Sequence, residues 1–298
     1  MLSQLRDLDL QLLRLFVTVV ECGGFSAAQG ELGVGQSTIS TQMAKLETRL
    51  GFRLCERGKA GFRLTPKGEQ VLSATRKLFS AIDTFKGEAQ GMADKLLGEL
   101  RIGLSEGLAA EVLEQVAEAI RRFRGRNQAV QIELLTAMPA ELERRLLQDQ
   151  LHLAIGYFSG NQAALDCRPL FRERQVLYCA QGHPLFEGRE PSLEELQRAD
   201  RVHHPYRPTQ TREPLQSAIS SAQAEQVDGV LTFILSGRHI GYLPKHIALP
   251  WLARGRLRAL QAEALGFEAQ FHLARHRGQR PSDALQALNE DLLAAFAI

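Results

Sequence analysis

Four polar side chains stand at the start of one regularly spaced segment, at Gln36, Ser37, Ser40 and Thr41. The apolar residues of this segment recur at steps of four and three, so a helix would turn them to one face and leave the polar residues on the other. A glutamine side chain can form a bidentate contact with adenine, and serine bonds several base edges. The N–H groups at the start of a helix also hold phosphates. This edge therefore has the chemistry that contact with a nucleic acid requires.

Basic residues concentrate around and after this edge. Residues 45–77 contain nine Lys or Arg and three Asp or Glu, a local net charge of +6, whereas the whole chain carries +2. Such a local excess is the electrostatic footprint of a surface that meets phosphates. A run of charges is usually only a solvated face, so the charge supports the interpretation only together with the polar edge.

Three predicted helices position the edge. Apolar spacing from Leu12 to Val19 predicts an amphipathic first helix, and Ser26 is the predicted N-cap of a short helix over 27–32. Gly33–Gly35 then forms a tight turn before the helix that carries the polar edge. Two helices joined by a short glycine-containing turn form a helix-turn-helix, whose second helix enters the major groove by its N-terminal end.

A basic β-hairpin is predicted after the third helix. Apolar residues alternate on both sides of residues 58–61, and Arg53, Arg57, Lys59 and Arg63 line the two strands and the tip. A basic hairpin in this place can act as a wing that grips the DNA backbone or the minor groove.

A long helix follows, with Thr65 as its predicted N-cap and Pro66 at its first position. Its apolar face repeats every 3.5 residues, which is typical of a coiled-coil seam and implies a partner helix. Thr75 and Ala89 interrupt the seam, so packing on its own domain is the alternative. The predicted dimer interface consists of Val71, Leu78, Ile82, Phe85 and Met92.

Residues 13–72 resemble the LysR-type transcriptional regulators. Four short motifs carry the resemblance. They are Phe25-Ser26 with the two alanines that follow, the helix that starts at Gln36, the Leu-Glu-x-x-Leu-Gly pattern of residues 46–51, and the Leu-Thr-x-x-Gly pattern of residues 64–68. Ser37, Thr41 and Cys55 depart from the Pro, the basic residue and the Phe that the family commonly has there.

The resemblance implies a winged helix-turn-helix, a dimerising linker helix and a two-lobed effector domain, usually assembled as a tetramer. It places base reading at Gln36, Ser37 and Ser40, and wing contacts at Arg53 and Arg57. The full set of predicted DNA-binding residues is Ser26, Gln36, Ser37, Thr38, Ser40, Thr41, Lys45, Arg53, Arg57 and Lys59.

Strands alternate with helices beyond residue 96, which predicts βαβ units and a parallel sheet. Strands are expected at 99–103, 130–135, 151–156, in VLYCA from 176, in HIGYLP, in RLRAL and near 270–274. Helices are expected at 108–123, 139–148, near 211–223, near 229–237 and at 282–296. The segments ELRIG, LHLAIG and GRHIGYLP are similar to landmarks of the family's effector domain, which is itself similar to periplasmic binding proteins.

Ligands of such α/β lobes bind beyond the carboxyl ends of the strands. The residues predicted to contact the effector on this basis are Ser105, Glu106, Thr136, Tyr157, His203, His204, Tyr206, Arg207 and Tyr242. His204 and Arg207 favour an anion such as a carboxylate, whereas Glu106 disfavours one. Each could instead be an ordinary loop or hinge residue, and Glu106 could serve only to complement a helix dipole.

The remaining chemistry is sparse. The sequence has no GxSxG, Walker loop, HExxH or CxxC, so we expect neither an enzyme nor a bound cofactor or metal. Four cysteines stand far apart, and the alternative to reduced, buried thiols is a redox pair of Cys167 and Cys179, near Arg168 and Arg172. A redox-sensing regulator, or a solute-binding module with a DNA-docking arm, are therefore the alternative functions.

Length and composition bound the protein class. The chain has 44% hydrophobic and 23% charged residues, which is typical of a globular protein. Its length of 298 residues allows one large domain or two. No apolar run is long enough to span a membrane, and no secretory signal is recognisable, so the cytoplasm is the expected compartment. The partners expected are double-stranded DNA, a small-molecule effector, further copies of the chain as homodimer or homotetramer, and RNA polymerase.

The predicted fold class is α/β with an N-terminal all-α/winged domain. Its parts are a winged helix-turn-helix at 1–65, a linker helix at 66–96 and a two-lobed, periplasmic-binding-protein-like effector domain at 97–298. Lobe I is expected at about 97–167 and 271–298, and lobe II at about 168–270.

Overall fold

The computed structural model describes residues 6–58, 61–91, 96–158, 163–204, 215, 220–278 and 281–297. Two compact units divide the chain, Met1–Phe85 and Lys86–Ile298. None of the described helices combines the length and the hydrophobicity needed to cross a membrane.

The first unit is a helix-turn-helix followed by a hairpin and a long helix. Its elements are α1 (Asp7–Glu21), α2 (Ala28–Leu32), α3 (Gln36–Leu50), β1 (Cys55–Gly58), β2 (Gly61–Leu64) and α4 (Pro66–Gly91), the last of which continues into the second unit.

The apolar faces of α1 and α3 meet in one core, as their spacing predicts. Phe16 and Val19 of α1 and Ile39, Met43 and Leu46 of α3 are all fully buried in it. Of the two glycines in the turn before α3, only Gly33 takes a positive φ, at 64°, where it ends α2.

The predicted N-cap of α2 is wrong. The helix begins at Ala28, and Ala27 is the N-cap residue without any side-chain capping bond. The chain already turns at this point, because the Ala28 N–H donates to the Gly24 carbonyl over 3.1 Å. The Ser26 hydroxyl instead accepts from Gln29 Nε2, 3.4 Å away, and Ser26 stays exposed.

The predicted wing forms where the sequence placed it, with Cys55 opposite Leu64 and Gly58 opposite Gly61 in an antiparallel pair. Lys59 at its tip lies outside the described residues. The predicted cap of α4 is confirmed, since Thr65 Oγ1 accepts the Gly68 N–H at 2.9 Å.

Gly68 is required where α4 meets the wing. A Cβ at this position would lie 2.0 Å from the Leu54 carbonyl oxygen, closer than any side chain can approach backbone. The glycine of the Leu-Thr-x-x-Gly pattern therefore lets the start of α4 pack directly against the residue that precedes strand β1.

The apolar seam of α4 divides into two parts. Val71 and Leu78 are half-buried against the core of the first unit, and Thr75 is buried there too. Further along, Ile82 is half-buried but Phe85 leaves 68% of its surface exposed. Met92 lies outside the described residues.

The second unit is a mixed α/β structure of sixteen elements among the described residues. In its first half these are β3 (Leu96–Ser105), α5 (Ala110–Arg124), β4 (Gln128–Ala137), α6 (Pro139–Leu147), β5 (Leu153–Gly156) and β6 (Leu165–Ala180). In its second half they are α7 (Leu193–Arg198), β7 (Val202–His203), β8 (Ala222–Gln223), α8 (Val227–Leu235), β9 (Gly241–Pro244), α9 (Lys245–Ala253), β10 (Leu257–Ala259), α10 (Ala262–Leu265), β11 (Phe267–His276) and α11 (Asp283–Ala295).

A seven-stranded sheet joins the two lobes, in the order β10-β6-β11-β5-β3-β4 with β9 also paired to β6. β3 is parallel to both β4 and β5, as expected of βαβ units. The long strands β6 and β11 are antiparallel to each other, so the expected parallel sheet is confined to β3, β4 and β5 and the whole sheet is mixed. The first part of β6 pairs with β11 beside lobe I, and its end pairs with β9 and β10 in lobe II.

Each lobe has its own apolar core. In lobe I, strands β3 to β5 pack against α5 and α11 around Phe123 and Leu288. In lobe II, β6 and β9 pack against α8 and α9 around Tyr178, Ile234 and Leu243. The helix expected near 211–223 falls mostly outside the described residues, and its last two residues form strand β8 instead.

Candidate DNA-reading edge and effector cleft

The polar start of α3 is an exposed edge. Gln36, Ser37, Thr38 and Thr41 are exposed, and Ser40 is half-buried. The opposite face of the helix is held by fully buried side chains, so α3 cannot rotate this edge inward without emptying the core. The Thr41 hydroxyl donates to the Ser37 carbonyl over 2.9 Å.

The other predicted DNA contacts are exposed where the structure describes them. Ser26, Lys45 and Arg53 are exposed. Arg57 lies in strand β1, but its side chain is outside the described part, as is all of Lys59.

One acidic side chain joins α3 to the wing. Glu47 Oε1 accepts the N–H groups of Leu54, at 2.7 Å, and Cys55, at 3.3 Å. The carboxylate thereby fixes the segment that leads from the recognition helix into β1. The sequence marked Glu47 only as part of a family pattern, and its partners lie beyond the end of α3, so no periodicity within one element pairs them.

Two residues of the basic patch are engaged within the protein. Asp9 is fully buried and accepts from Arg49 Nη2 at 2.7 Å and from the Arg6 N–H at 2.9 Å. The Arg49 guanidinium beside it holds the pKa of Asp9 below its usual value. Arg76 lies 3.6 Å from Glu21. The charge available to phosphates is therefore smaller than the sequence count, and Arg49 anchors the end of α3 to the start of α1.

Lobe I presents three predicted effector residues at one edge of its sheet. Ser105 ends β3 and is 5% exposed, Thr136 near the end of β4 is exposed, and Tyr157 directly follows β5 and is buried. Because β3, β4 and β5 run parallel, their carboxyl ends meet at this edge.

Two predicted effector residues of lobe II stand side by side in the chain. β7 and β8 are parallel, and His203 and His204 stand half-buried at the end of β7. Tyr206 and Arg207 lie outside the described residues. Tyr242 is used within the lobe, since its hydroxyl donates to the Leu265 carbonyl at 3.1 Å and its ring packs edge-on against Phe267.

The two lobes touch at the turn that follows β3. The Glu106 carboxylate accepts the Val227 N–H and a hydrogen bond from Gln226, at the start of α8. Burial is the main reason that the pKa of Glu106 is raised. The helix dipole that Glu106 meets is thus that of α8 in lobe II, not that of the helix following it in sequence.

His246 makes a second contact between the lobes. Its Nε2 lies 2.9 Å from the Gly107 carbonyl oxygen, so Nε2 carries the hydrogen and donates. Its Nδ1 lies 3.7 Å from Glu173 Oε2 on the crossover strand β6. Sequence reasoning missed both His246 and Glu173, because their neighbours come from distant parts of the chain.

Glu173 is a buried carboxyl group with one direct hydrogen bond from Gln175 Nε2, at 2.7 Å. Burial raises the pKa of Glu173 to about 7. The unfolded chain ionises this group near its ordinary pKa of 4.5, whereas the folded chain keeps it protonated to about 7. The unfolded state then binds fewer protons between these values, so this group lowers stability as pH rises from 4.5 to 7.

Glu173→Gln should therefore stabilise the second unit at pH 8 and change it little at pH 5. The amide is neutral at both values and can still accept from Gln175, and the pKa difference corresponds to about 3 kcal/mol. Thermal unfolding of the full chain at both values measures the effect. Glu114→Gln, at an exposed carboxylate on α5 of the same unit, is the matched control and should show no such difference. An equal gain for Glu173→Gln at the two pH values would contradict the assignment.

The proposed cysteine pair is wrong as an internal disulfide. Cys167 and Cys179 lie on the same strand, β6, twelve positions apart. At the rise of an extended strand, their Cα atoms are about 40 Å apart. A disulfide requires Cα atoms within about 7 Å. Burial raises the pKa of both thiols, that of Cys179 to about 11, so the nearby arginines do not activate them.

A serine, a histidine and an aspartate meet in lobe II without forming a catalytic triad. The Ser221 hydroxyl donates to Asp200, and His239 Nε2 lies 3.3 Å from the same hydroxyl. In a triad the carboxylate orients the far ring nitrogen, whereas here Asp200 approaches the near one, Nε2. No group of metal-ligating side chains occurs among the described residues.

Comparison with known proteins follows the same division of the chain. Residues 10–69 match the family described as bacterial regulatory helix-turn-helix protein, lysR family. Residues 93–297 match the LysR substrate binding domain. The chain belongs to the LysR family of transcriptional regulators. It is thus a DNA-binding regulator with an effector-binding domain and not an enzyme, as the sequence predicts.

Individual LysR relatives cover nearly the whole chain. The HTH-type transcriptional activator BauR of Pseudomonas aeruginosa is 37% identical over 292 residues, 97% of this chain and 96% of its own. Among solved structures, a full-length OxyR variant of Pseudomonas aeruginosa has a TM-score of 0.68 at 20% identity, covering 99% of this chain and 96% of that one. Full-length CbnR in complex with its target DNA has a TM-score of 0.61 at 17% identity, covering 96% and 99%. At these identities the two structures show the shared fold.

Proposed function

We propose that this LysR-family protein reads an inverted repeat as a homodimer, with one α3 helix in the major groove of each half-site. The observation that carries the proposal is the exposed polar start of α3, backed by the buried face of Ile39, Met43 and Leu46. The wing and the basic residues beside it hold the backbone. Two dimers joining into a homotetramer would place four such edges along one operator.

The proposed division of the chain is 1–65 for DNA binding, 66–96 for dimerisation and 97–298 for the effector. Lobe I then takes about 97–167 and 271–298, and lobe II takes about 168–270. The two separate cores and the crossing of β6 and β11 between them support this division.

A small-molecule effector is proposed to bind between the lobes. Ser105, Thr136 and Tyr157 supply one wall, and His203 and His204 supply the other. The lobes also meet through Glu106 and His246, and a ligand that moves one lobe must rearrange these contacts. Effector binding is in this way coupled to the geometry of the domain, and through it to the spacing of the DNA-binding units.

The setting of this activity is also a proposal. BauR is named as a transcriptional activator, which supports activation of transcription by this chain through contact with RNA polymerase. A regulator that binds the bacterial chromosome works in the cytoplasm, where its DNA lies.

The effector site is tested by thermal shift of the full chain with a panel of small acids, amino acids and aromatic compounds. A compound that binds only the folded state raises the melting temperature, and the rise grows with its excess over Kd. Thr136→Trp would fill the space at the end of β4 and should abolish the shift of any hit. Gln131→Trp, exposed earlier on the same strand, is the control that should keep it. A shift that survives Thr136→Trp unchanged would place the effector elsewhere.

A further inference from the structure

The recognition helix α3 starts without a side-chain cap of its own. Its N-cap residue is Gly35, which has no side chain, and the turn before it contains a second glycine, Gly33. Glycine leaves a backbone more conformational freedom than any other residue. The first N–H groups of a helix also lack partners within the helix. The residues proposed to read DNA therefore follow a glycine-containing turn and a helix start that its own N-cap residue does not cap.

A side chain from the preceding helix bridges this turn. Gln29 Oε1 of α2 accepts the N–H of Gln36, the first residue of α3, at 3.2 Å. Gln29 Nε2 donates to the Ser26 carbonyl at 3.1 Å and to the Ser26 hydroxyl at 3.4 Å. The amide is thus held at both ends, between the start of α2 and the start of α3.

We infer that Gln29 is a positioning residue for sequence reading, which caps α3 from outside and fixes the reading edge against α2. Gln36 is both the residue that Gln29 holds by its backbone and the first side chain of that edge. Loss of the bond loosens the first turn of α3. The contacts to bases should then lose more binding free energy than the contacts to phosphates, because only the base contacts carry sequence information. The inference rests on the proposed reading by α3.

Gln29→Met tests the role, because methionine has a similar length but offers neither bond. The probes are a duplex that the unaltered protein selects from a randomised pool and a scrambled duplex of the same composition. We expect Gln29→Met to weaken binding to the selected duplex by about fivefold to tenfold, as loss of one helix cap implies. Binding to the scrambled duplex should change by less than about twofold, because backbone contacts supply non-specific affinity. Gln70→Met, at an exposed glutamine of α4, is the control for the substitution itself.

Rescue distinguishes a cap from a DNA contact. Gly35 has φ −69° and ψ 155°, which any residue adopts, and a Cβ there meets nothing within 4 Å. Serine or asparagine at an N-cap bonds the N–H of the second or third helical residue. Gly35→Ser or Gly35→Asn, combined with Gln29→Met, should therefore recover selected-duplex binding in part, by about twofold relative to Gln29→Met alone.

Three results would overturn the inference. Unchanged binding by Gln29→Met would show that the bond is irrelevant, and an equal loss on both duplexes would show a general structural defect. Failure of both Gly35 variants to rescue would show that Gln29 acts by touching DNA itself. A separate variant tests whether α3 reads DNA at all. If it does not, Ser37→Glu would leave DNA binding intact.

Discussion

Phe85→Asp should separate the two paired α4 helices and lower the mass of the assembly without unfolding either unit. Phe85 is the most exposed large apolar side chain among the described residues, at 68%, and it stands on the seam of α4. An exposed aromatic ring on a 3.5-residue repeat is the side chain that a partner helix would cover. An aspartate at this position would place a charge in that interface, where it has no partner.

Light scattering of the variant should report at most half the mass of the parent, and its affinity for an inverted repeat should fall because the two half-sites are no longer bound together. The fold of the first unit should be unaffected. Ser73→Asp, exposed on the same helix, is the control and should keep the parent mass. A Phe85→Asp variant that keeps the parent mass would contradict the proposed dimer helix.

The structure changes which seam residues can test dimerisation. Val71 and Leu78 pack against the core of their own unit, and Thr75 is buried there. A charge at these positions would unfold the unit and would say nothing about a partner. The alternative that α4 packs on its own domain therefore applies to its first half, and the dimer proposal rests on the half beyond Leu78.

Ser37→Glu should abolish specific DNA binding while the fold becomes no less stable. Ser37 is exposed in the first turn of α3, where the helix dipole favours a negative charge. The same carboxylate would face phosphates and base-edge acceptors. Losing a contact worth roughly 1–3 kcal/mol in each half-site lowers affinity on the order of 100-fold.

Fluorescence anisotropy and thermal unfolding together measure this prediction. Affinity should fall while the melting temperature stays equal or rises, a combination that a misfolded variant cannot produce. Ser73→Glu adds the same charge on an exposed part of α4 and should bind DNA within a few-fold of the parent. Undiminished binding by Ser37→Glu would remove α3 from the reading surface.

The sequence predicts the first unit well because its signals are local. Ile39, Met43 and Leu46 repeat with the helical period, and Thr65-Pro66 marks the start of α4, so these elements need no distant partner to be recognised. The second unit is less predictable. The first part of β6 is rich in charge and contains Pro169, and it becomes a strand only by pairing with β11, about a hundred residues later.

The site residues that the sequence predicts also have local signals, whereas the missed ones depend on distant partners. Gln36 and Ser37 stand out because their polarity breaks an apolar helix at its start. Glu47, Gln29 and His246 act through hydrogen bonds to Leu54, Gln36 and Gly107, which lie 7, 7 and 139 positions away and are brought near by the fold. No spacing rule identifies such partners.

The reading of DNA by α3 is tested most directly by a competition measurement at physiological salt. The parent protein is titrated with a duplex selected from a randomised pool and with a scrambled duplex of equal length and composition. If α3 reads DNA, the selected duplex contains an inverted repeat and binds at least about 1,000-fold more tightly, as is typical of sequence-specific proteins. Affinities within about tenfold of each other would show binding through phosphates alone. That result would contradict the central claim.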